Sequence, residues 1–268
     1  MPPQTYTNDH STPVLRTHNW RNLSNSASYL LPYLQPNTRI LDVGCGPGSI
    51  TIDLARHVLP HGHVVGVEYV SDPLPAAQSF ADAEGVSNVS FQLGDIHALP
   101  FADDSFDVVH AHQVLQHVAD PVAALREMRR VVKKDGVVAA RESASCTWYP
   151  DSEGLETWLR LSERMRRARG GNPHPGRMLH VWAKEAGFAR ERIKTGAGSW
   201  CFSSAEEREY WGGSMEERAR SSGFVVDAVR DGFASTKDLD VIARGWRAFV
   251  EDEDAWFAML HGEILCWK

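Results

Sequence analysis

The run ILDVGCGPGS at 40–49 constrains this chain more than any other stretch. Its opening is apolar and β-prone, glycines stand at 44, 46 and 48, and an amphipathic helical pattern follows. Glycine is needed where a backbone must turn tightly or approach a ligand that a Cβ would exclude. The first amides of the helix then face that ligand with their partial positive charge. Strand, glycine turn and helix in this order predict a βα unit with a ligand at its corner. Taken alone, the pattern points to nucleotide binding without saying which nucleotide.

The flanking sequence supports such a unit. Residues 37–142 alternate short β-branched runs with helical patterns, as βαβ units around a parallel sheet do. The strands are RILDV (39–43), HVVGVE (63–68), VSFQLG (89–94), FDVVHAH (106–112) and GVVAARE (136–142), with helices at 48–59, 72–84 and 120–132. Two acids fall where a nucleoside would need them. Glu68 ends the second strand, 24 residues beyond Gly44, where a carboxylate can accept from both ribose hydroxyls. Asp95 follows the third strand at the same edge, and ligands of open α/β sheets bind at the carboxyl ends of strands. A nicotinamide dinucleotide asks for G-x-G-x-x-G. Here the spacing is G-x-G-x-G with Ser49 at the later position, which fits a smaller nucleoside better.

LDVGCGPG, the acid at Glu68, GDIHALPF and the run from FDVV through VLQHVADPVAALREMRRVVKKDGVV together resemble the class I S-adenosylmethionine-dependent methyltransferases. The nearest flavour is the ubiquinone- and menaquinone-biosynthesis-like group that also serves small-molecule metabolism. The resemblance is strong over 40–142 and looser beyond. It implies a doubly wound, Rossmann-like α/β fold with a mostly parallel seven-stranded sheet, an antiparallel C-terminal strand and inserted cap helices. It also implies S-adenosylmethionine as cofactor and S-adenosylhomocysteine as product. Gly44, Cys45, Gly46 and Gly48 would then pass the methionine and ribose, and Asp42 would orient the loop or the methionine amine. Glu68 would hold the ribose and Tyr69 would flank the adenine. Asp95 would bond the adenine amino group, Ile96 would pack on the ring, and His112 and Gln113 would lie near the transferable methyl. KKDG (133–136) departs from the family's usual Pro-Gly and should change only a turn.

Methyl transfer needs alignment above all, and a base only where the acceptor must lose a proton. His112 is the candidate base, since imidazole titrates near neutral pH. His117 reads as structural and His110 as packing, while His61 and His63 lack metal-ligand spacing. In related enzymes an N-terminal helix closes over the cofactor, which would place His18, Trp20, Arg21 or Asn22 at the pocket, His18 as a second catalytic candidate. Residues 1–36 read as a polar lead to about Pro13, mobile unless it folds over a ligand, then a helix from Asn19 to the stop at Pro36. Residues 37–268 read as one domain, with the cofactor core at 37–142 and cap helices and terminal strands at 143–268.

Eight of nine tryptophans fall in that last part, and residues 37–142 contain none. Helical patterns at 152–169, 176–187, 205–221 and 236–254 surround an extended run at 191–202 and lead to the terminal strand HGEILCWK. Trp20, Trp148, Tyr149 and Trp200 are the candidate acceptor contacts, with Trp158, Trp182 and Phe202 completing an aromatic wall for a flat or lipophilic metabolite. The basic run RLSERMRRARGG (160–171) reads as a solvated helix face, and GGNPHPGR (170–177) as a turn-rich hinge. A net charge of −7 argues against nucleic acid or anionic lipid as partner. No apolar run approaches a membrane span, and four scattered cysteines read as free thiols of a cytoplasmic protein. A small-molecule acceptor and a possible homodimer complete the expected partners, with no metal. The rival readings are a protein or nucleic-acid methyltransferase on this fold, and a non-catalytic cofactor-binding protein.

Overall fold

A computed structural model describes residues 12–268. Most of the polar lead expected to Pro13 lies outside the described residues. Helices α1 (Thr12–Asn19) and α2 (Leu23–Ser26) come first. The chain then alternates β1 (Arg39–Val43), α3 (Ser49–His57), β2 (His63–Glu68), α4 (Leu74–Ala83), β3 (Val89–Leu93), β4 (Phe106–His112), α5 (Pro121–Val131) and β5 (Val132–Tyr149). There follow α6 (Glu153–Ala168), α7 (Leu179–Glu185), β6 (Ile193–Phe202), α8 (Ala205–Arg208), α9 (Ser214–Ser221), α10 (Gly223–Arg230), α11 (Thr236–Glu251) and β7 (Trp256–Trp267).

The seven strands form one sheet in the order β3-β2-β1-β4-β5-β7-β6. β1 pairs in parallel with both β2 and β4, and β4 pairs in parallel with β5. β7 reverses: the Asp135 amide, early in β5, donates to the carbonyl of Lys268, and the Lys268 amide donates back to Gly136. The mostly parallel α/β sheet with an antiparallel C-terminal strand is thus as the sequence implies. The strand order reverses beside β1, which neighbours both β2 and β4. In such sheets the crevice at the carboxyl ends of the strands on either side of that switch takes the ligand.

By its contacts the chain divides into two compact units. The sheet unit comprises His18–Ser143, His174–Gly198 and His261–Lys268. The helical unit comprises the described residues up to Thr17, with Ala144–Pro173 and Ser199–Leu260. The stretch at 170–177 therefore contains one of the crossings from one unit to the other. In the sheet unit, apolar clusters bury both faces of the sheet. α5 shows how sequence builds one of them. The Asp120 carboxylate caps the helix at the Ala123 amide, Pro121 starts it, and Ala124, Leu125, Met128 and Val131 turn inward.

Several elements differ from their sequence pattern. The helix expected from Asn19 is broken into α2 and a 3-10 helix at Ser28–Tyr33. Asn22 and Asn25 cap each other's backbone in a reciprocal box, and Pro32 sits inside the second segment, so no continuous helix can form. β5 is longer than expected, because KKDG is taken up as an irregularity. Phe106 pairs with Val132 but Val108 already pairs with Val137. The pattern at 205–221 is interrupted by a π-helical turn at Glu209–Gly213, and α10 has no counterpart in the sequence reading.

Candidate active site

The glycine corner between β1 and α3 lies in the sheet unit. Gly44, Gly46 and Gly48 have φ of +70°, +52° and +84°, values that side-chain-bearing residues rarely adopt. The amides of Gly44 and Cys45 both donate to the carbonyl of Val67 on β2, which pins the corner to the neighbouring strand. The three glycines differ in what surrounds them. A Cβ at Gly44 would collide with Val114, and one at Gly48 would stand 3.0 Å from Ala77 and the Phe91 ring. A Cβ at Gly46 would meet no protein atom within 4 Å. Gly44 and Gly48 are therefore required by packing, whereas Gly46 keeps the open side of the corner clear. The Cys45 sulfur turns toward the sheet, 3.0 Å from where a Gly66 Cβ would stand, and burial pushes its thiol up. What Cys45 offers a ligand is backbone.

The acids divide by role. Asp42 is buried, its carboxylate accepting from the Thr51 hydroxyl at 2.6 Å and from His110 Nδ1 at 2.7 Å. It ties β1, α3 and β4 together behind the corner. His110 is the packing residue expected, with a carboxylate partner the sequence did not suggest. Glu68 faces the corner itself. One of its oxygens accepts the Gly46 amide at 3.0 Å and the other accepts the Tyr69 amide at 2.8 Å. Each oxygen keeps a lone pair for a ligand hydroxyl. Tyr69 is 47% exposed, with ring surface to offer. Asp95 accepts from the amide and ring of His97, and its side chain stays 41% exposed. Ile96 is 4% exposed and belongs to the apolar core of the sheet unit.

His112 ends β4 and is buried. Burial first, and then the positive charges of Arg21 and Arg141, hold its pKa well below the usual 6.5. It is a neutral imidazole at physiological pH. Gln113 follows with φ +54°, an uncommon conformation for a residue other than glycine, and it is the kind of strain that collects at functional corners. The turn it starts is held from β5. The Arg141 carbonyl accepts the Gln113 amide, and the Glu142 carboxylate accepts the amides of Val114 at 2.7 Å and Leu115 at 2.6 Å. Val114 is the residue packed against Gly44, so β5 positions β4's exit against the glycine corner. His18 closes α1, and its carbonyl accepts from the Ser49 hydroxyl at 3.4 Å. The N-terminal segment thus reaches the start of α3, and Arg21 belongs to the surroundings of His112.

Sequence reasoning missed the buried charges behind His112. Arg141 is 2% exposed, donates to the Asn25 carbonyl at 2.6 Å, reaches His261 at 3.2 Å and pairs with Glu263 at 3.3 Å. Burial, opposed by Arg141, raises the pKa of Glu263. The available signal was the charged pair Arg141–Glu142 ending an otherwise apolar strand.

The acceptor candidates fare differently. Trp200 is 2% exposed, with its ring 5.9 Å from that of Trp211, and Phe202 stacks on Trp211 at 4.4 Å. Trp158, Trp246 and Phe257 continue the same packing, and Trp148 stacks on Phe257 at 6.4 Å. Trp200 and Phe202 thus make the core of the helical unit and expose no wall. Trp158 on α6 and Trp246 on α11 pack edge to face, so the rings fill the space between the unit's two long helices. Trp182 packs in the sheet unit's core instead. Tyr149 is 60% exposed at the end of β5, and Trp148 and Trp20 keep part of their surface. The arginines of the basic run are engaged, among them Arg166 on the Pro173 carbonyl, Arg167 on Glu163 and Arg169 on Asp227. Among the described residues no group of three or more His, Cys, Asp or Glu could hold a metal ion.

A family model described as a methyltransferase domain matches residues 34–182. An uncharacterized methyltransferase of Schizosaccharomyces pombe is 36% identical over 97% of this chain and 95% of its own. Demethylmenaquinone methyltransferase of Geobacillus stearothermophilus is 35% identical over 43% of this chain and 50% of its own. Among solved structures, phosphoethanolamine N-methyltransferase 2 of Haemonchus contortus, in complex with phosphomonomethylethanolamine and S-adenosylhomocysteine, superposes with a TM-score of 0.54. It is 18% identical, over 88% of this chain and 50% of that one, and shares the fold.

Proposed function

Because the chain belongs to the S-adenosylmethionine-dependent methyltransferases, we propose that its methyl acceptor is a small, aromatic or lipophilic metabolite. The cofactor supplies a methyl group already activated on a sulfonium, so the protein's task is to align the acceptor and exclude water, worth roughly 7–11 kcal/mol. The corner backbone at Gly44–Gly48 and the first turn of α3 hold the methionine and ribose end. Glu68 accepts from the ribose hydroxyls, Tyr69 flanks the adenine, and Asp95 accepts from its amino group. Asp42 acts behind the loop, through Thr51 and His110. The observation that carries the cofactor assignment is the open face of Gly46 beside the Glu68 carboxylate.

At the exit of β4, His112 is already neutral and can take a proton from an acceptor hydroxyl or amine as it is methylated. Within the sheet unit, Trp20 has surface to offer the acceptor. A small flat acceptor is supported by the relative that acts on demethylmenaquinone and by the net charge of −7, which suits neither nucleic acid nor an anionic membrane. No described helix is long and apolar enough to cross a membrane, and the described cysteines are free. A cytoplasmic place in secondary metabolism fits the same reading. The test is calorimetric titration of S-adenosylmethionine, S-adenosylhomocysteine and NAD, followed by transfer of a labelled methyl to pooled metabolites, peptides and RNA. Binding of the two sulfur nucleosides with label in the metabolite pool is expected. Label confined to peptides or RNA would overturn the acceptor class.

A further inference from the structure

The helical unit includes the ends of three neighbouring strands, 144–149 of β5, 256–260 of β7 and 199–202 of β6. Along β7 the side chains alternate. Phe257 and Met259 are buried, while Trp256 and Leu260 stay 38% and 45% exposed. On β5, Trp148 stacks on the buried Phe257 and the next residue, Tyr149, is exposed. On β6, Trp200 and Phe202 are buried and Cys201 between them is exposed. Tyr149, Trp256, Leu260 and Cys201 therefore share the outer face of these strands. Carboxylates crowd one end of it. Arg208 donates to the carbonyls of Ser203 and Glu253, which brings the start of α8 beside the entry to β7. Glu206 in the first segment and Glu251, Glu253 and Asp254 in the second are all exposed. Arg208 is committed to those carbonyls, and Arg247 pairs with Glu209 and Glu216.

We propose that this face docks a basic amphipathic helix of a partner protein. The helix lays its apolar side on Trp256 and Leu260 and turns its cations toward Glu253 and Asp254. Size and charge select this occupant. From Trp256 to Leu260 the face runs about 13 Å along the strand, and three strands span about 10 Å. Two turns of an α-helix are about 11 Å long and 10–12 Å wide, which matches. An aromatic side chain buries at most about 250 Å², so three partly exposed residues fall short of the roughly 800 Å² per partner that a domain-sized interface needs. The carboxylates repel an anionic membrane and attract lysine and arginine.

The probe is a labelled peptide of leucine and lysine, about 18 residues long so that it can be helical, with every leucine on one face. It is titrated into the full chain and followed by fluorescence anisotropy. Binding is expected, and it should weaken as salt is raised. Trp256→Ser, Leu260→Ser and the pair Glu253→Lys with Asp254→Lys should each weaken it at least tenfold. A peptide of the same composition with its leucines scattered round the helix, and one with glutamate in place of lysine, should bind at least tenfold more weakly. Equal binding of the scattered peptide, or unchanged affinity in the serine variants, overturns the proposal. The lysine pair replaces exposed residues only, so it remains a test if a serine variant fails to fold. Sedimentation showing a dimer that Trp256→Ser dissolves would assign the face to a second copy of this chain. Flotation with phosphatidylcholine vesicles that Trp256→Ser abolishes would assign it to a lipid surface. Either result overturns the helix.

Discussion

Gly46 and Gly85 offer a matched comparison inside one protein. Both are left-handed, at φ +52° and +67°, and a Cβ on either would meet no atom within 4 Å. Alanine at each therefore costs backbone strain without collision, about 1 kcal/mol. For a protein of this size that corresponds to a drop in Tm of roughly 2–4 °C. The two should be alike in a thermal melt. They should part in ligand binding, because Gly46 faces the space beside Glu68 and Gly85 lies between α4 and β3. A ligand in contact with the corner has atoms within about 4 Å of its backbone, where the new methyl would stand. Calorimetric titration with S-adenosylhomocysteine should find Gly46→Ala at least tenfold weaker, about 1.4 kcal/mol. Gly85→Ala should bind as wild type does. Equal affinity of Gly46→Ala and Gly85→Ala would refute the assignment of the open side of the corner to the cofactor.

Other consequences are open to direct test. Glu68→Ala should weaken S-adenosylhomocysteine at least tenfold, and unchanged affinity in the same titration would remove Glu68 from the ribose site. His112→Ala should lower turnover more than cofactor affinity, and equal loss of both would make it a cofactor contact. His112 also makes stability pH-dependent. Below about pH 6.5 the unfolded chain gains a proton that the buried folded imidazole resists, so stability falls as the pH drops toward the folded value. Urea midpoints measured between pH 7.5 and 5.5 should therefore decline less for His112→Gln than for wild type. Arg141→Met should destabilise the protein by leaving half-buried Glu263 without its partner, and adding Glu263→Met should recover part of that loss in urea unfolding.

The sheet was readable before any coordinates because its determinants are local. β-branched runs of five to seven residues alternating with amphipathic helices dictate parallel strands, and the glycines at 44, 46 and 48 announce a corner whose backbone no other residue tolerates well. Glu68 could be expected at that corner from its place at a strand end, and its carboxylate does accept the Gly46 amide. The limits appear where a residue's surroundings come from distant chain. Ile96 reads like any apolar residue after an acid, and only packing shows that it belongs to the core. Trp200 and Phe202 look like pocket lining by composition, yet they are buried against Trp211 in the core of the helical unit. The continuous helix expected after Asn19 failed through two asparagines whose side chains compete for backbone amides.

The ring of charge behind His112 lies furthest from what a linear reading can reach. Arg141 stands 120 residues from His261 along the chain, and the two meet because β7 returns beside β5, while Asn25, 116 residues away, reaches Arg141 from α2. Hydrophobic period and glycine spacing were enough for the fold and the glycine corner, since backbone conformation and burial pattern are properties of neighbouring residues. The lowered pKa of His112 and the pairing of Arg141 with Glu263 were decided by the tertiary structure, because burial and charge act through space and not along the sequence.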